Sequence, residues 1–365
     1  MLLKLNILKF NKLIIIFSLF IAMKAFAFEN LVYTWRGFPN EIAQGLIAIN
    51  DLKDHSAQID ILSSQAFHIN EKGTVYGSLN PQMVQIAKAA NIKIMPLVGN
   101  GNFDRNLTHL FLTDSAAQDR AINSILQLCK QNNFYGVQID FEGMSFMDRD
   151  AFTHFYQKIS GVLHQNGFKI SIALIPMLTD AAPANSYLKA RYEGWSGVYD
   201  YKTLAKYSDF VTLMAYDQHG SISTPGPMAG ISWDETIIQY ALKYIPADKV
   251  SLGIPWHSGY WYTDKDLNAA NGNPFHAISV DLAYKDMVRI LKDKNAVLRW
   301  DDEDKIHYAI YRSNFLYEYI FVEDAASFKA KLELVKKYKL RGISNWCLGE
   351  EDPAVWNFFK LFAKS

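Results

Sequence analysis

Eight short apolar runs recur along the chain, and stretches with helical spacing lie between most of them. The runs fall near Leu31–Trp35, Ile59–Ser63, Lys93–Val98, Gly136–Glu142, Lys169–Ile175, Phe210–Tyr216, Val250–Pro255 and Gly342–Trp346. The intervening helices have readable ends. Asn80-Pro81 caps and starts one, and a stripe from Phe152 to Leu163 stops at Asn166-Gly167. Asp234 precedes the apolar pair Ile237-Ile238, and Asp324 precedes Phe328 and Leu332. Strands joined by helices build parallel sheets with both faces covered, which leaves few architectures. Their number and the size of the chain favour an α/β fold of the closed (β/α)8 type, a TIM barrel. A doubly wound open sheet is the alternative.

One interval breaks the alternation. Over sixty residues separate Pro255 from Asp324, and they hold a helix near 280–293 with strand-like runs at His307–Tyr311 and Leu316–Val322. The expected organisation is one barrel over residues 28–365, with a small α+β subdomain at 257–322 inserted after the seventh strand.

The fourth run, Gly136-Val137-Gln138-Ile139-Asp140-Phe141-Glu142, carries the strongest chemical signal. In a strand, Val137, Ile139 and Phe141 share one face, and Gln138, Asp140 and Glu142 share the other. Burying such a polar row costs free energy unless it has a use. Two neighbouring carboxylates perturb each other's proton affinity, which suits an acid, Glu142, beside a helper, Asp140. In a barrel this row points inward, and Glu142 lies at the C-terminal mouth where such enzymes place their chemistry. A solvated edge strand is the competing reading of the spacing alone.

Other polar and aromatic residues fall at strand ends. Met214 and Tyr216 share a face and Asp217 follows at the turn; a phenol and a carboxylate there can grip an amide or a sugar hydroxyl. Trp346 shares a face with Ser344 on the last strand and can floor a sugar ring. Trp256, with Tyr260, Trp261 and Tyr262, follows the seventh strand, and Trp35 follows the first. Each can equally be core packing.

Composition removes several function classes. Residues 1–27 combine Lys4, Lys9 and Lys12, the apolar run Leu13 to Met23 and Ala25-Phe26-Ala27, the pattern of a cleavable secretory signal. An uncleaved anchor is the competing reading. A secreted or periplasmic protein without stable membrane insertion is expected. Without residues 1–27 the chain has 33 basic and 37 acidic residues, a net charge of −4, which is no nucleic-acid footprint. There is no metal-ligand spacing and no phosphate-binding loop, so neither metal nor cofactor is expected. Cys129 and Cys347 read as two buried free thiols, and a monomer is expected.

Together these runs resemble glycoside hydrolase family 18, the chitinase family. Its fourth-strand pattern Asp-Gly-x-Asp-x-Asp-x-Glu matches Tyr135–Glu142, its Met-x-Tyr-Asp run matches Met214–Asp217, and its eighth-strand Trp matches Trp346. The stretches Met214–Pro255 and Arg341–Trp356 are most similar to a bacterial branch that includes spore-cortex and peptidoglycan glucosaminidases. Tyr135 and Gln138 replace two Asp of the pattern. The resemblance implies a glycosidase acting after N-acetylglucosamine in chitin-like or peptidoglycan glycans. Glu142 would be the acid, Asp140, Tyr216 and Asp217 would handle the substrate's acetamido group, and Trp346, Met214, Gln138, Trp256 and Trp35 would bind sugar. A catalytically silent sugar-binding protein on the same fold is the alternative, and a two-carboxylate hydrolase a third reading.

Overall fold

A computed structural model of the chain describes residues 28–35, 41–265 and 275–362. The proposed signal at 1–27 lies outside the described residues. Eight parallel strands close a barrel: Glu29–Thr34, Ile61–Ile69, Leu97–Asn100, Gly136–Asp140, Lys169–Leu174, Phe210–Leu213, Val250–Pro255 and Gly342–Trp346. The first strand pairs with both the second and the eighth, and every neighbouring pair between is parallel. The chain is a (β/α)8 barrel.

Three strands differ from the spans their sequence suggests. The run at 93–98 is split into Lys93–Ile94 and Leu97–Asn100, because Pro96 between them has no N–H for the ladder. The fourth strand stops at Asp140 and the sixth at Leu213, so Glu142, Tyr216 and Asp217 stand beyond their strands. Helix starts follow side-chain caps. Asn80 accepts from the Gln82 and Met83 N–H groups, and Asp324 forms a reciprocal capping box with Ser327. Asp234 is a correction: its helix, Ile231–Ala241, begins at Gly230, and Asp234 lies inside it, fully buried.

Behind the fourth strand the core is aromatic. Phe141 points away from the lumen and stacks at 5.7 Å on both Phe152 and Phe155, with Phe111 edge-on at 6.0 Å. The residue between the two carboxylates is therefore pinned by packing, and its truncation to Ala would cost about 3–5 kcal/mol. Cys129 and Cys347 are buried free thiols.

A second sheet fills the interval after the seventh strand. Five antiparallel strands lie in the order Phe275–Leu282, Ser258–Lys265, Leu316–Val322, Ile306–Ser313, Arg299–Asp301. The helix Tyr284–Asp293 packs Met287 and Leu291 against Ala309, Ile320 and Val322 of that sheet. This unit stands on the C-terminal side of the barrel, where Ser279 and Asp281 reach the cleft.

Candidate active site

Inside the barrel the lumen is layered. Leu31, Ile61, Met95, Leu97 and Phe210 form an apolar cluster with Tyr33. A hydroxyl-rich layer crosses the lumen with it. The Tyr33 hydroxyl donates to Gln138 Oε1 at 2.6 Å, and Gln138 Nε2 donates to Ser171 and Thr212 at 2.8 and 3.1 Å. Ser344 links Thr212 at 3.0 Å to Ser251 at 2.7 Å. Gln138 is thus saturated by the lumen and fully buried. It neither lines the cleft nor hydrogen-bonds Asp140, which corrects its assignment as a sugar-binding residue.

Above this layer lies a cavity of about 230 Å³. Asp140, Glu142, Met214, Tyr216, Asp217, Trp346 and Trp35 line it together, drawn from the first, fourth, sixth and eighth strands. Trp256 is not among them. It is 2% exposed and packs edge-on against Trp356 at 5.3 Å, in the core outside the barrel. Trp261 is likewise buried, against Phe321 in the subdomain. Trp346 stacks on Tyr216 at 6.4 Å and tilts against Tyr33 at 5.4 Å, forming an aromatic floor.

The backbone of Glu142 is held by residues that sequence patterns did not single out. Asn100, at the end of the third strand, accepts from the Glu142 N–H at 2.9 Å and donates to its carbonyl at 2.7 Å. Asn100 is itself buried and also donates to Thr108 at 2.8 Å. The Tyr199 hydroxyl donates to the Phe141 carbonyl at 2.6 Å. Gly143 follows with φ +67°, where a Cβ would lie 2.6 Å from the Phe103 carbonyl oxygen. The acid therefore stands on a rigid bend rather than on a free loop.

Electrostatics sets the two carboxyls apart. Burial pushes Asp140 up, and one of its oxygens, Oδ1, has no hydrogen-bond partner. Glu142 is pushed up by burial first and then by the charges of Asp140 and Asp217; the Trp195 indole N–H, 3.4 Å from its Oε2, pulls the other way. No cation contributes to either shift. Burial also pushes Tyr216 well above its usual range, so the phenol is a donor.

The cleft widens on both sides of this centre. A cavity of about 320 Å³ adjoins through Trp35 and Gln65, with Thr34, Ser64 and Asn80 in its wall. On the other side a cavity of about 560 Å³ shares Glu142, Met214, Tyr216 and Asp217. Its walls carry Trp195, Tyr187 and Ile175 opposite Ser279 and Asp281 of the subdomain. Such a trough suits a chain molecule lying across the acid. Among the described residues no cluster of His, Cys, Asp and Glu could hold a metal ion.

The chain is similar to known proteins. The uncharacterized glycosylase YvbX of Bacillus subtilis (strain 168) is 27% identical over 320 residues, covering 86% of this chain and 88% of that protein. The cortical fragment-lytic enzyme of the same organism is 28% identical over 313 residues, covering 83% and 68%. In solved structures, the Bacillus cereus spore cortex-lytic enzyme SleL superposes with a TM-score of 0.77 at 23% identity, over 91% of this chain and 73% of that one. A chitinase from Chromobacterium violaceum gives 0.77 at 25% identity, over 93% and 100%. The model of the family described as "Glycosyl hydrolases family 18" matches residues 10–351, nearly the whole chain. The chain belongs to glycosyl hydrolases family 18 and is a glycoside hydrolase.

Proposed function

We propose that the enzyme cleaves β-1,4 bonds on the reducing side of N-acetylglucosamine in chitin-like or peptidoglycan glycans, with the substrate's own acetamide as nucleophile. The observation that carries this reading is Asp140, which lines the cavity beside the acid and whose Oδ1 is buried without a partner. An acetamido N–H is the donor it lacks. Bound there, the acetamide turns its carbonyl oxygen towards the anomeric carbon.

Glu142 gives its proton to the glycosidic oxygen as the bond breaks. The acetamido oxygen closes on the anomeric carbon to form an oxazolinium, and Asp140 stabilises the charge that develops. Tyr216 and Asp217 hold the acetamido group, and Trp346 floors the distorted ring. Water then opens the ring as Glu142 takes a proton back, with overall retention. A tethered nucleophile can contribute up to ~7–11 kcal/mol, which relieves the protein of supplying a second, opposing carboxylate. The raised proton affinity of Glu142 keeps it an acid at working pH.

The names of the cortical fragment-lytic and spore cortex-lytic relatives support a cell-wall glycan. The test is product analysis on chito-oligomers and on purified peptidoglycan. Release of fragments with N-acetylglucosamine at the new reducing end supports the reading; new N-acetylmuramic acid reducing ends, or no cleavage of either substrate, overturns it. The proposal extends to export, supported by the basic, apolar and small-residue pattern of residues 1–27. Exported protein should then begin near Phe28, and a start at Met1 in the membrane fraction would contradict this by favouring an uncleaved anchor.

A further inference from the structure

His257 immediately follows Pro255-Trp256 at the end of the seventh strand, and its side chain is 3% exposed. Its ring stands edge-on to Tyr216 at 6.4 Å. Nε2 lies 3.3 Å from Asp217 Oδ1, and Nδ1 lies 3.9 Å from Glu350 Oε2. Three carboxyl groups face it from three elements: Asp217 on the turn after the sixth strand, Asp281 on the subdomain strand, and Glu350 beyond the eighth strand. A neutral imidazole has one N–H and one lone pair, so it can donate to only one of these. The doubly protonated ring offers an N–H on each side. Asp217 itself sits in the left-handed region at φ +58°, a turn that aims the residue but does not hold its carboxylate.

We propose that His257 is a positioning residue: an imidazolium, clamped between Asp217 and Glu350, that fixes the Asp217 carboxylate at the wall shared by the cavity over Asp140 and the larger cavity beside it, and balances its charge beside Glu142. Burial alone would lower the proton affinity of the ring. The Asp217 hydrogen bond and the charges of Asp281, Asp217 and Glu350 outweigh it and bring the pKa up to about 10. The same His257 charge opposes the burial that raises Glu350 and Asp281. One buried cation thus serves three acids, one of which touches the reacting group.

The inference rests on the reading of Glu142 as the acid. His257→Gln should lower kcat roughly 10–100-fold through a misplaced Asp217, with KM changed less than about threefold. With the balancing charge gone, the basic limb of kcat/KM against pH should move up by roughly half a unit or more, because Asp217 repels the ionised form of Glu142 more strongly. Added to Asp217→Asn, His257→Gln should cost nothing further. Superimposable pH profiles, or additive losses in the double variant, would overturn the proposal. Should His257→Gln fail to fold, histidine NMR of the wild-type enzyme decides: protons on both nitrogens through pH 8 support the clamp, and a neutral ring at pH 7 refutes it. Full activity in Glu142→Gln would instead sink the acid assignment and leave the NMR result standing.

Discussion

Two of the places where the enzyme buries acids treat them differently. At the barrel mouth, neither Asp140 nor Glu142 is paired with a cation, and burial raises both. Where the helices Ile231–Ala241 and Ala325–Tyr338 meet the end of the subdomain, Glu323 is 3% exposed, but Lys331 donates to it at 2.8 Å and Ser327 at 2.9 Å. Asp234 beside them is fully buried with both oxygens unpaired, and burial raises it well above its ordinary range. Raised proton affinity is therefore common to Asp234 and Glu142. The difference is access: Glu142 opens on two cavities, whereas Asp234 lines none of those described. A protonated buried carboxyl becomes an acid catalyst only where a substrate can reach it.

The largest effect expected from this contrast is on turnover. Glu142→Gln should lower kcat on the order of 10²–10⁴ while the chain folds normally and still binds chito-oligomers. Retention of more than half the wild-type rate would erase the distinction between the two regions. At the junction the cost falls on folding instead. Lys331→Met leaves Glu323 buried without its cation and should cost about 3–5 kcal/mol in a urea titration. Activity per folded molecule should be unchanged, and a loss of kcat in fully folded protein would couple the two regions and refute their independence.

A smaller effect separates them by pH. Glu142 has its folded pKa above its ordinary 4.5, so the folded state holds a proton that the unfolded chain has released. Stability from this group is full below about pH 4.5 and is lost as pH rises through the folded pKa. Glu142→Gln removes that loss. Its Tm should match wild type near pH 4 and exceed it at pH 8, and a gap that narrows with rising pH would contradict the assignment. Asp234→Asn should show the same trend without any change in kcat.

Much of this could be read along the sequence, because strand periodicity is local. The eight strands and the inward row of the fourth strand follow from a spacing of two and from the barrel rule, whereas Tyr216, Asp217 and Trp346 are singled out by the resemblance to the family, since spacing alone also allows core packing. What failed was depth, parity and partnership. Gln138 has the right parity, but it sits two residues below Asp140, about 6–7 Å deeper, where Tyr33, Ser171 and Thr212 consume its hydrogen bonds. Trp256 has the parity of Leu252 and Ile254, which face the helices, whereas His257 shares that of Ser251, whose hydroxyl reaches the lumen. Alternation carried two residues past Pro255 would have favoured the histidine over the tryptophan. Asn100 comes from another strand and Trp195 from the helical turn Tyr192–Ser196, and no spacing in the chain brings them to Glu142.

The least of the expected effects probes depth. Gln138→Asp places a carboxyl beneath Asp140 and should move the acidic or basic limb of kcat/KM by a fraction of a pH unit. Superimposable profiles would mean that the lumen layer does not communicate with the mouth.

The central claim is that Glu142 works with the substrate's acetamide rather than with a second protein nucleophile. The most direct measurement is kcat on an aryl chitobioside against its analogue with hydroxyls in place of the 2-acetamido groups. The account predicts a ratio above roughly a thousandfold, since the tethered nucleophile is lost. Comparable turnover of the two substrates would contradict it.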